Sequence, residues 1–114
     1  MIEIRKYIKE DGSCPFDLWI NKIRDQRAKA RILIRLNRLE LGLFGDCKPI
    51  AEGVHELRIP EGKGYRVYFG QEGDKLILLL CGGSKATQPK DIKQALTYWK
   101  AFKEVSHDKP GISH

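Results

Sequence analysis

The chain has 114 residues and a formal net charge of +6; 41% of its residues are hydrophobic and 32% are charged. This length fits one domain with one modest core, and the composition is that of a folded protein rather than a disordered one. No apolar run approaches the roughly 18 residues of a membrane span, and the alternating, charged N-terminus is not a signal peptide, so we expect a cytoplasmic protein with no membrane partner.

The first half of the chain is predicted to contain one strand and two helices. Residues 2–8 alternate between apolar and polar side chains and indicate a strand. Pro15 suits the first turn of a helix that runs to about residue 24. A second amphipathic helix is predicted over 26–41, and the Gly, Pro and Asp residues of 42–53 indicate a loop.

The second half is predicted to form three strands and a last helix. Residues 54–59 and 65–69 alternate, and 75–81 are apolar on both faces, as in a central strand. Residues 82–88 indicate a loop, and Pro89 opens a helix with apolar side chains at helical spacing.

The order β-α-α-β-β-β-α and the tight turns predict an α+β fold in which the last three strands form an antiparallel meander. We expect the first two helices to cover one sheet face in a two-layer domain, with the last helix at an edge or end. Residues 1–104 are predicted to form a single domain, and 105–114 a flexible tail.

The stretch "ELRIPEGKGYRVYFG" carries the most informative polar residues. Alternation places Glu56, Arg58, Arg66 and Tyr68 on one face, and antiparallel pairing makes the two arginines cross-strand neighbours. Such like charges destabilise a hairpin unless a carboxylate or a bound phosphate neutralises them. Lys85, just after the last strand, would extend this face, whereas His55 points away. The candidate catalytic set is therefore Glu56, Arg58, Arg66, Tyr68 and Lys85.

A stripe of arginines follows the second helix at spacings of four, four and three residues: Arg27, Arg31, Arg35 and Arg38. Such a stripe is either a solvated face or a contact surface for RNA or a protein partner. The cysteines are sparse, form no C-x-x-C pair and have no histidine at metal spacing: Cys14, Cys47 and Cys81. They indicate free thiols, so we expect no metal and no cofactor.

Four stretches carry a resemblance to a known family: "FDLWINKIRDQRAKARILIRLNRLELG", "GDCKPIAEGVHELRI", "GYRVYF" and "LLLCGGSKATQPKDIKQALTYW". They resemble the addiction-module killer proteins, a phage-related, HigB-like branch of the RelE/ParE toxin superfamily. The resemblance covers residues 1 to about 104 and implies a RelE-like fold, with two helices on a twisted antiparallel sheet and strand one at its edge.

The resemblance also implies a function. It indicates the toxin of a type II toxin-antitoxin system that cleaves mRNA in the ribosomal A site without a metal, through attack of a 2′-OH on the adjacent phosphate. A helix-turn-helix antitoxin encoded beside it would neutralise it and would mediate any contact with operator DNA. Arg66 matches the family pattern best, followed by Arg58, Tyr68 and Lys85. The chain departs from the better-known pattern because it lacks a histidine or tyrosine at the usual catalytic place near its final helix.

Several alternatives stay open at this point. Lys85 or Glu56 is the candidate base, and Tyr68 or an arginine the candidate acid. A ParE-like inhibitor of DNA gyrase would share the fold, and an inactive homologue would serve only as an antitoxin-bound co-repressor. If Arg66 is a partly exposed strand residue, its replacement by alanine should change the free energy of unfolding by about 1 kcal/mol or less.

Overall fold

A mixed five-stranded sheet and three α-helices form residues 1–108, the part of the chain that the computed structural model describes. The α+β class predicted from the sequence is therefore confirmed. The elements in chain order are β1 Glu3–Lys6, α1 Pro15–Lys22, α2 Gln26–Glu40, β2 Cys47–Ala51, β3 Val54–Ile59, β4 Tyr65–Glu72, β5 Leu76–Ser84, a 3-10 turn Lys85–Thr87 and α3 Gln88–Asp108.

The strands lie in the order β1-β5-β4-β3-β2. Strands β2 to β5 form an antiparallel meander, whereas β1 pairs with β5 in parallel. The expectation that β1 lies at an edge is confirmed. The expectation of a wholly antiparallel sheet is wrong, because β1 and β5 are far apart in the chain and no short turn dictates their relative direction.

Strand β2 was not predicted, since its segment was interpreted as part of a loop over 42–53. Its residues pair with β3, with an irregularity in register between Pro49 and Ala51. Proline is tolerated here because β2 is an edge strand. Glu52 and Gly53 connect the strands with φ angles of 52° and 92°, the left-handed backbone of a tight two-residue hairpin.

Helices α1 and α2 pack on one face of the sheet, as the sequence predicted. The apolar stripe of α2 is fully buried at Ala28, Ile32 and Leu39, against Leu57 and Val67 of the sheet. Helix α2 begins at its predicted position because Asp25 Oδ1 accepts a hydrogen bond from the Ala28 backbone N–H at 3.1 Å.

Helix α3 packs on the opposite face, so the domain has three layers and the two-layer expectation is wrong. Trp99 and Ala95 are buried with Tyr68, Leu78 and other residues of the sheet in a second core. Strand β5 is apolar on both faces: Ile77 and Leu79 belong to the core with α1 and α2, whereas Leu78 and Leu80 belong to the core with α3.

The last helix continues to Asp108, beyond the point where the sequence analysis began a tail. The remainder of that predicted tail, 109–114, lies outside the described residues. Within residues 1–108 no helix is both long and apolar enough to cross a membrane.

Candidate functional site on the β3–β4 hairpin

The register of the β3–β4 hairpin brings the predicted polar side chains together. Arg58 lies directly opposite Arg66, and Glu56 directly opposite Tyr68. All four side chains extend from the sheet face that α3 also occupies, because Tyr68 belongs to the core beneath that helix. The predicted cross-strand arginine pair is confirmed as a feature of the structure.

Glu56 is the centre of this cluster. Its carboxylate is fully buried and accepts four hydrogen bonds from side chains of three different elements. The donors are Arg58 Nε at 3.1 Å and Arg66 NH1 at 3.0 Å to Oε1, and Tyr68 Oη at 3.1 Å and Gln88 Nε2 at 2.7 Å to Oε2.

Burial alone would raise the pKa of Glu56, since it penalises the charged form. The hydrogen bonds from Gln88, Arg58 and Tyr68, with the charge of Arg66, outweigh burial and lower its pKa. Glu56 is therefore an ionised carboxylate near neutral pH, held by two cations and two neutral donors.

Tyr68 is buried rather than exposed on a solvent-facing surface. Its side chain is 0% exposed, and burial, reinforced by the neighbouring Glu56 carboxylate, raises the pKa of its phenol. Tyr68 therefore lies on the predicted sheet face but is not accessible there, because α3 covers this part of the sheet.

The two arginines differ in how far they reach solvent. The Arg58 side chain is 36% exposed and has a second, more distant carboxylate, Asp46, at 3.9 Å. The Arg66 side chain is only 13% exposed, and its buried Nε has no hydrogen-bond partner among residues 1–105, whose side chains the structure describes. A buried donor without a partner carries an energetic cost.

This burial changes the expected effect of Arg66→Ala. The substitution would withdraw a charged partner from a buried carboxylate, and the cost of such a loss exceeds that of an ordinary surface change. The expected limit of about 1 kcal/mol is therefore too low, and we revise it to about 2–3 kcal/mol because three donors to Glu56 remain.

Lys85 is exposed at the end of β5, in the 3-10 turn that precedes α3. Its backbone N–H donates to the Gly64 carbonyl at 2.9 Å, which fixes it beside the β3–β4 turn. Within the described residues its ammonium forms no ion pair. Lys85 is thus an uncompensated cation close to the end of the hairpin that carries the arginines.

Lys48 is a further cation of this region, and it was not predicted from the sequence. It is exposed on β2 directly opposite Glu56, so alternation gives its side chain to the same sheet face. The segment "CKPIA" that forms this strand contains Pro49 and is flanked by Gly and Asp residues, which are typical of loops, so there was little indication of a strand here.

His55 lies on the opposite face of the sheet from the arginines. His55 stacks on Phe69 with ring centroids 5.2 Å apart, in the core on the other face, so the expectation that it points away from the arginines is confirmed. Burial lowers the pKa of His55.

The arginine stripe of α2 is not one uniform surface. Arg27 and Arg31 are exposed and approach Glu61 at 3.6 and 3.5 Å. Arg35 turns inward and donates to the backbone carbonyls of Arg58, Phe44 and Asp46 at 2.6, 3.1 and 3.2 Å. The last member of the stripe, Arg38, is exposed.

Among residues 1–105, whose side chains the structure describes, no group of three or more His, Cys, Asp or Glu residues is arranged to hold a metal ion. Burial raises the pKa of the Cys81 thiol to about 12, with a further contribution from Asp91, so it is a protonated, unreactive thiol.

These features define an α+β domain with a cationic hairpin organised by one buried carboxylate. No family model matches the chain. It is 55% identical over 80 residues to an uncharacterized protein of Haemophilus influenzae (strain ATCC 51907 / DSM 11121 / KW20 / Rd), an alignment that covers 70% of this chain and 81% of the relative. The chain therefore belongs to the same family as that protein.

Proposed function

We propose that this protein is the toxin of a type II toxin-antitoxin system and a metal-independent, ribosome-dependent mRNA endoribonuclease with a RelE-like fold. The observation that carries the proposal is the directly opposed pair Arg58 and Arg66, which share a single buried carboxylate. The resemblance of the sequence to the HigB-like branch of the RelE/ParE superfamily supplies the biological context.

The charge balance of the pair favours a phosphodiester ligand. Two guanidinium groups contact one carboxylate, Glu56, and the Asp46 carboxylate lies 3.9 Å from Arg58 at an exposed position. The pair therefore exceeds the one carboxylate that is buried with it by one positive charge, and Asp46 offsets this excess only at an exposed, water-screened position. Lys85, which forms no ion pair within the described residues, adds a further cation nearby. Guanidinium groups match the oxygen geometry of a phosphate, and held in advance they stabilise its developing charge.

The proposed reaction is attack of the RNA 2′-OH on the adjacent phosphorus with departure of the 5′-oxygen. The products are a 2′,3′-cyclic phosphate and a 5′-OH, so the bond formed and the bond broken balance without water or metal. Arg66 and Arg58 bind the phosphate and stabilise the phosphorane. Lys85 is the proposed acceptor of the 2′-OH proton, a role that it can play only as the free amine. Arg58 is the proposed hydrogen-bond donor to the leaving 5′-oxygen, which takes its proton from solvent.

Glu56 and Tyr68 act in this proposal by positioning. Glu56 orients both arginines, and Tyr68 with Gln88 orients Glu56. The buried Tyr68 phenol, with its raised pKa, gives its hydrogen bond to Glu56, and the lowered pKa of Glu56 makes it a weak base.

The proposed partners follow from the same assignment. They are mRNA on the ribosome and a cognate helix-turn-helix antitoxin from an adjacent gene, with operator DNA contacted only through the antitoxin, all in the cytoplasm. The exposed arginines Arg27, Arg31 and Arg38 are candidate contacts for RNA or the antitoxin, whereas Arg35 is excluded from that role by its internal hydrogen bonds.

Mapping of RNA 5′ ends in cells after induction tests the proposed activity. The wild-type protein should generate new 5′-OH ends within translated mRNAs. Lys85→Ala should reduce them at equal protein level, while Lys75→Ala should not, since Lys75 is an exposed lysine in the β4–β5 turn at the other end of the hairpin strands. Growth arrest without new RNA ends would contradict the proposal.

One observation favours a second candidate, a gyrase inhibitor of the ParE type. Every hydrogen-bonding oxygen of Glu56 is already occupied and Tyr68 is buried, so the cluster also serves as a structural support for a binding surface. DNA damage after induction, with intact mRNA and with growth arrest unchanged in Lys85→Ala, would select this alternative.

A further inference from the structure

The outer face of α3 carries a row of lysines. Lys90, Lys93 and Lys100 are exposed and lie on the side of the helix opposite to its buried residues, Ala95 and Trp99. A rise of about 1.5 Å per residue places Lys90 and Lys100 about 15 Å apart along the helix axis. The row therefore extends along about half of α3.

These lysines form no ion pair within residues 1–105, whose side chains the structure describes. The ion pairs found there belong instead to β1, α1, α2 and the β2–β4 region. Asp91, the acidic residue of the first turn of α3, accepts a hydrogen bond from Thr87 Oγ1 at 2.5 Å and lies against Gly83 of the sheet. Glu104 is the one exposed acid near the described end of this row.

The row starts beside the hairpin cluster. The first residue of α3, Gln88, donates a hydrogen bond to the buried carboxylate Glu56, and Lys85 precedes it in the 3-10 turn. A phosphate bound by the arginine pair would therefore lie near one end of a line of unpaired positive charges.

We infer that the outer face of α3 binds the phosphate backbone of an RNA strand and guides it to the arginine pair through Lys90, Lys93 and Lys100. The inference rests on the proposed function in taking RNA as the polyanion and the arginine pair as the site that it reaches. Contacts of this kind are independent of sequence and release counterions, so they supply affinity rather than base specificity.

The side chains around the lysines favour RNA over an acidic protein. Protein interfaces usually contain a core of aromatic and aliphatic side chains that excludes water. The outer face of α3 presents the exposed Gln94 and Thr97 between its lysines, with no exposed large apolar side chain before Val105. A solvated, purely cationic surface suits a phosphate backbone.

The test compares two triple variants of the full chain that each lower the net charge by three. One replaces Lys90, Lys93 and Lys100 by glutamine; the control makes the same change at the exposed Lys9, Lys22 and Lys75. The probe is a 2′-O-methyl RNA of mixed sequence, which cannot undergo 2′-OH attack, so binding is measured without cleavage. Glutamine and lysine have similar helix propensities, so both variants should fold, and circular dichroism checks this.

The α3 variant should reduce the slope of log affinity against log salt concentration by about 2, that is, by about 0.7 for each lost contact with a single strand. The control should keep a slope close to that of the wild type. Equal changes in the two variants would show that only net charge matters and would overturn the inference. Competition experiments give a second criterion. If polyglutamate displaced the probe as well as RNA of equal charge does, the surface would not discriminate RNA from an acidic protein, and the inference would be overturned.

Because the probe cannot be cut, failure here is separable from failure of the proposed function. If the wild-type protein cleaves mRNA but the α3 variant binds the probe normally, the proposed ribonuclease activity is retained. Only the inference that α3 binds RNA is then contradicted.

Discussion

Glu56 is the residue on which the candidate site depends. Its carboxylate contacts two arginines on adjacent strands, a buried tyrosine and the first residue of α3, so it links the hairpin to the helix layer. Without its negative charge the directly opposed arginines would repel each other in a partly buried site.

We expect Glu56→Gln to lower the free energy of unfolding by about 2–4 kcal/mol, because removing one partner of a buried ion pair leaves the remaining charges uncompensated. Glu61→Gln is the matched control. Glu61 also approaches two arginines, but their side chains are 77% and 56% exposed, so its loss should cost about 1 kcal/mol or less. Denaturant unfolding of both variants measures the difference, and equal costs would contradict the role of Glu56.

The lowered pKa of Glu56 predicts a pH dependence of stability. A carboxyl whose pKa is lower in the folded than in the unfolded state stabilises the fold fully above its unfolded value of 4.5, and that contribution is lost as the pH falls through the folded pKa. The stability difference between the wild type and Glu56→Gln should therefore be constant near neutral pH and shrink on acidification below pH 4.5. A difference that grows in acid would show that the folded pKa is raised instead.

At the scale of the elements, Arg35 connects α2 to the β2–β3 region. Its guanidinium donates to three backbone carbonyls, of which that of Arg58 lies within the candidate site itself. Sequence periodicity assigned it to the same stripe as Arg38, because both occupy similar helical positions. Periodicity gives the direction of a side chain, and it does not reveal whether neighbouring chain segments approach closely enough to accept its hydrogen bonds.

Arg35→Ala should lower the free energy of unfolding by about 2 kcal/mol or more, since it leaves carbonyls of a connecting segment without their charged donor. Arg38→Ala, at an exposed position of the same helix, should change it by about 0.5 kcal/mol or less. Thermal and denaturant unfolding check the pair. Similar small effects for both would show that Arg35 is a solvated residue like its neighbours.

The packing of α3 on the sheet depends on a glycine. A Cβ at Gly70 would overlap the Trp99 ring, whose Nε1 donates to the Glu52 carbonyl at 2.8 Å. Gly70→Ala should therefore cost about 1–3 kcal/mol through overpacking. In a Trp99→Leu background the same substitution should cost clearly less, and a double-mutant cycle on unfolding free energies measures this coupling. Strict additivity would show that α3 does not lie against Gly70.

At the scale of the whole molecule, local patterns gave the helices, the meander and the arginine pair correctly. Alternation and a five-residue turn suffice to set Arg58 opposite Arg66, because a hairpin register depends on nearby residues alone. The parallel pairing of β1 and the edge strand β2 escaped prediction, since the first depends on distant segments and the second is obscured by Pro49.

The site was predicted less completely than the fold for a related reason. The strand pattern placed Glu56 and Tyr68 on the polar face, but it did not reveal that α3 would cover them. Their burial turns two candidate reacting groups into supports for the arginines. It also leaves Arg58, Arg66 and Lys85 as the groups that a substrate phosphate would meet, with Lys48 on the same face.

The cleavage rate of mRNA on programmed ribosomes by purified Arg66→Lys protein tests the central claim most directly. Lysine keeps the positive charge next to Glu56 but lacks the planar fork, so the fold should persist while the rate falls by about tenfold or more. Arg24→Lys, an equivalent change at an exposed position outside the proposed contacts, should cleave at the wild-type rate and leave the same 2′,3′-cyclic phosphate ends. A folded Arg66→Lys protein that cleaves as fast as the wild type, or a wild-type protein that leaves the mRNA intact, would contradict the account.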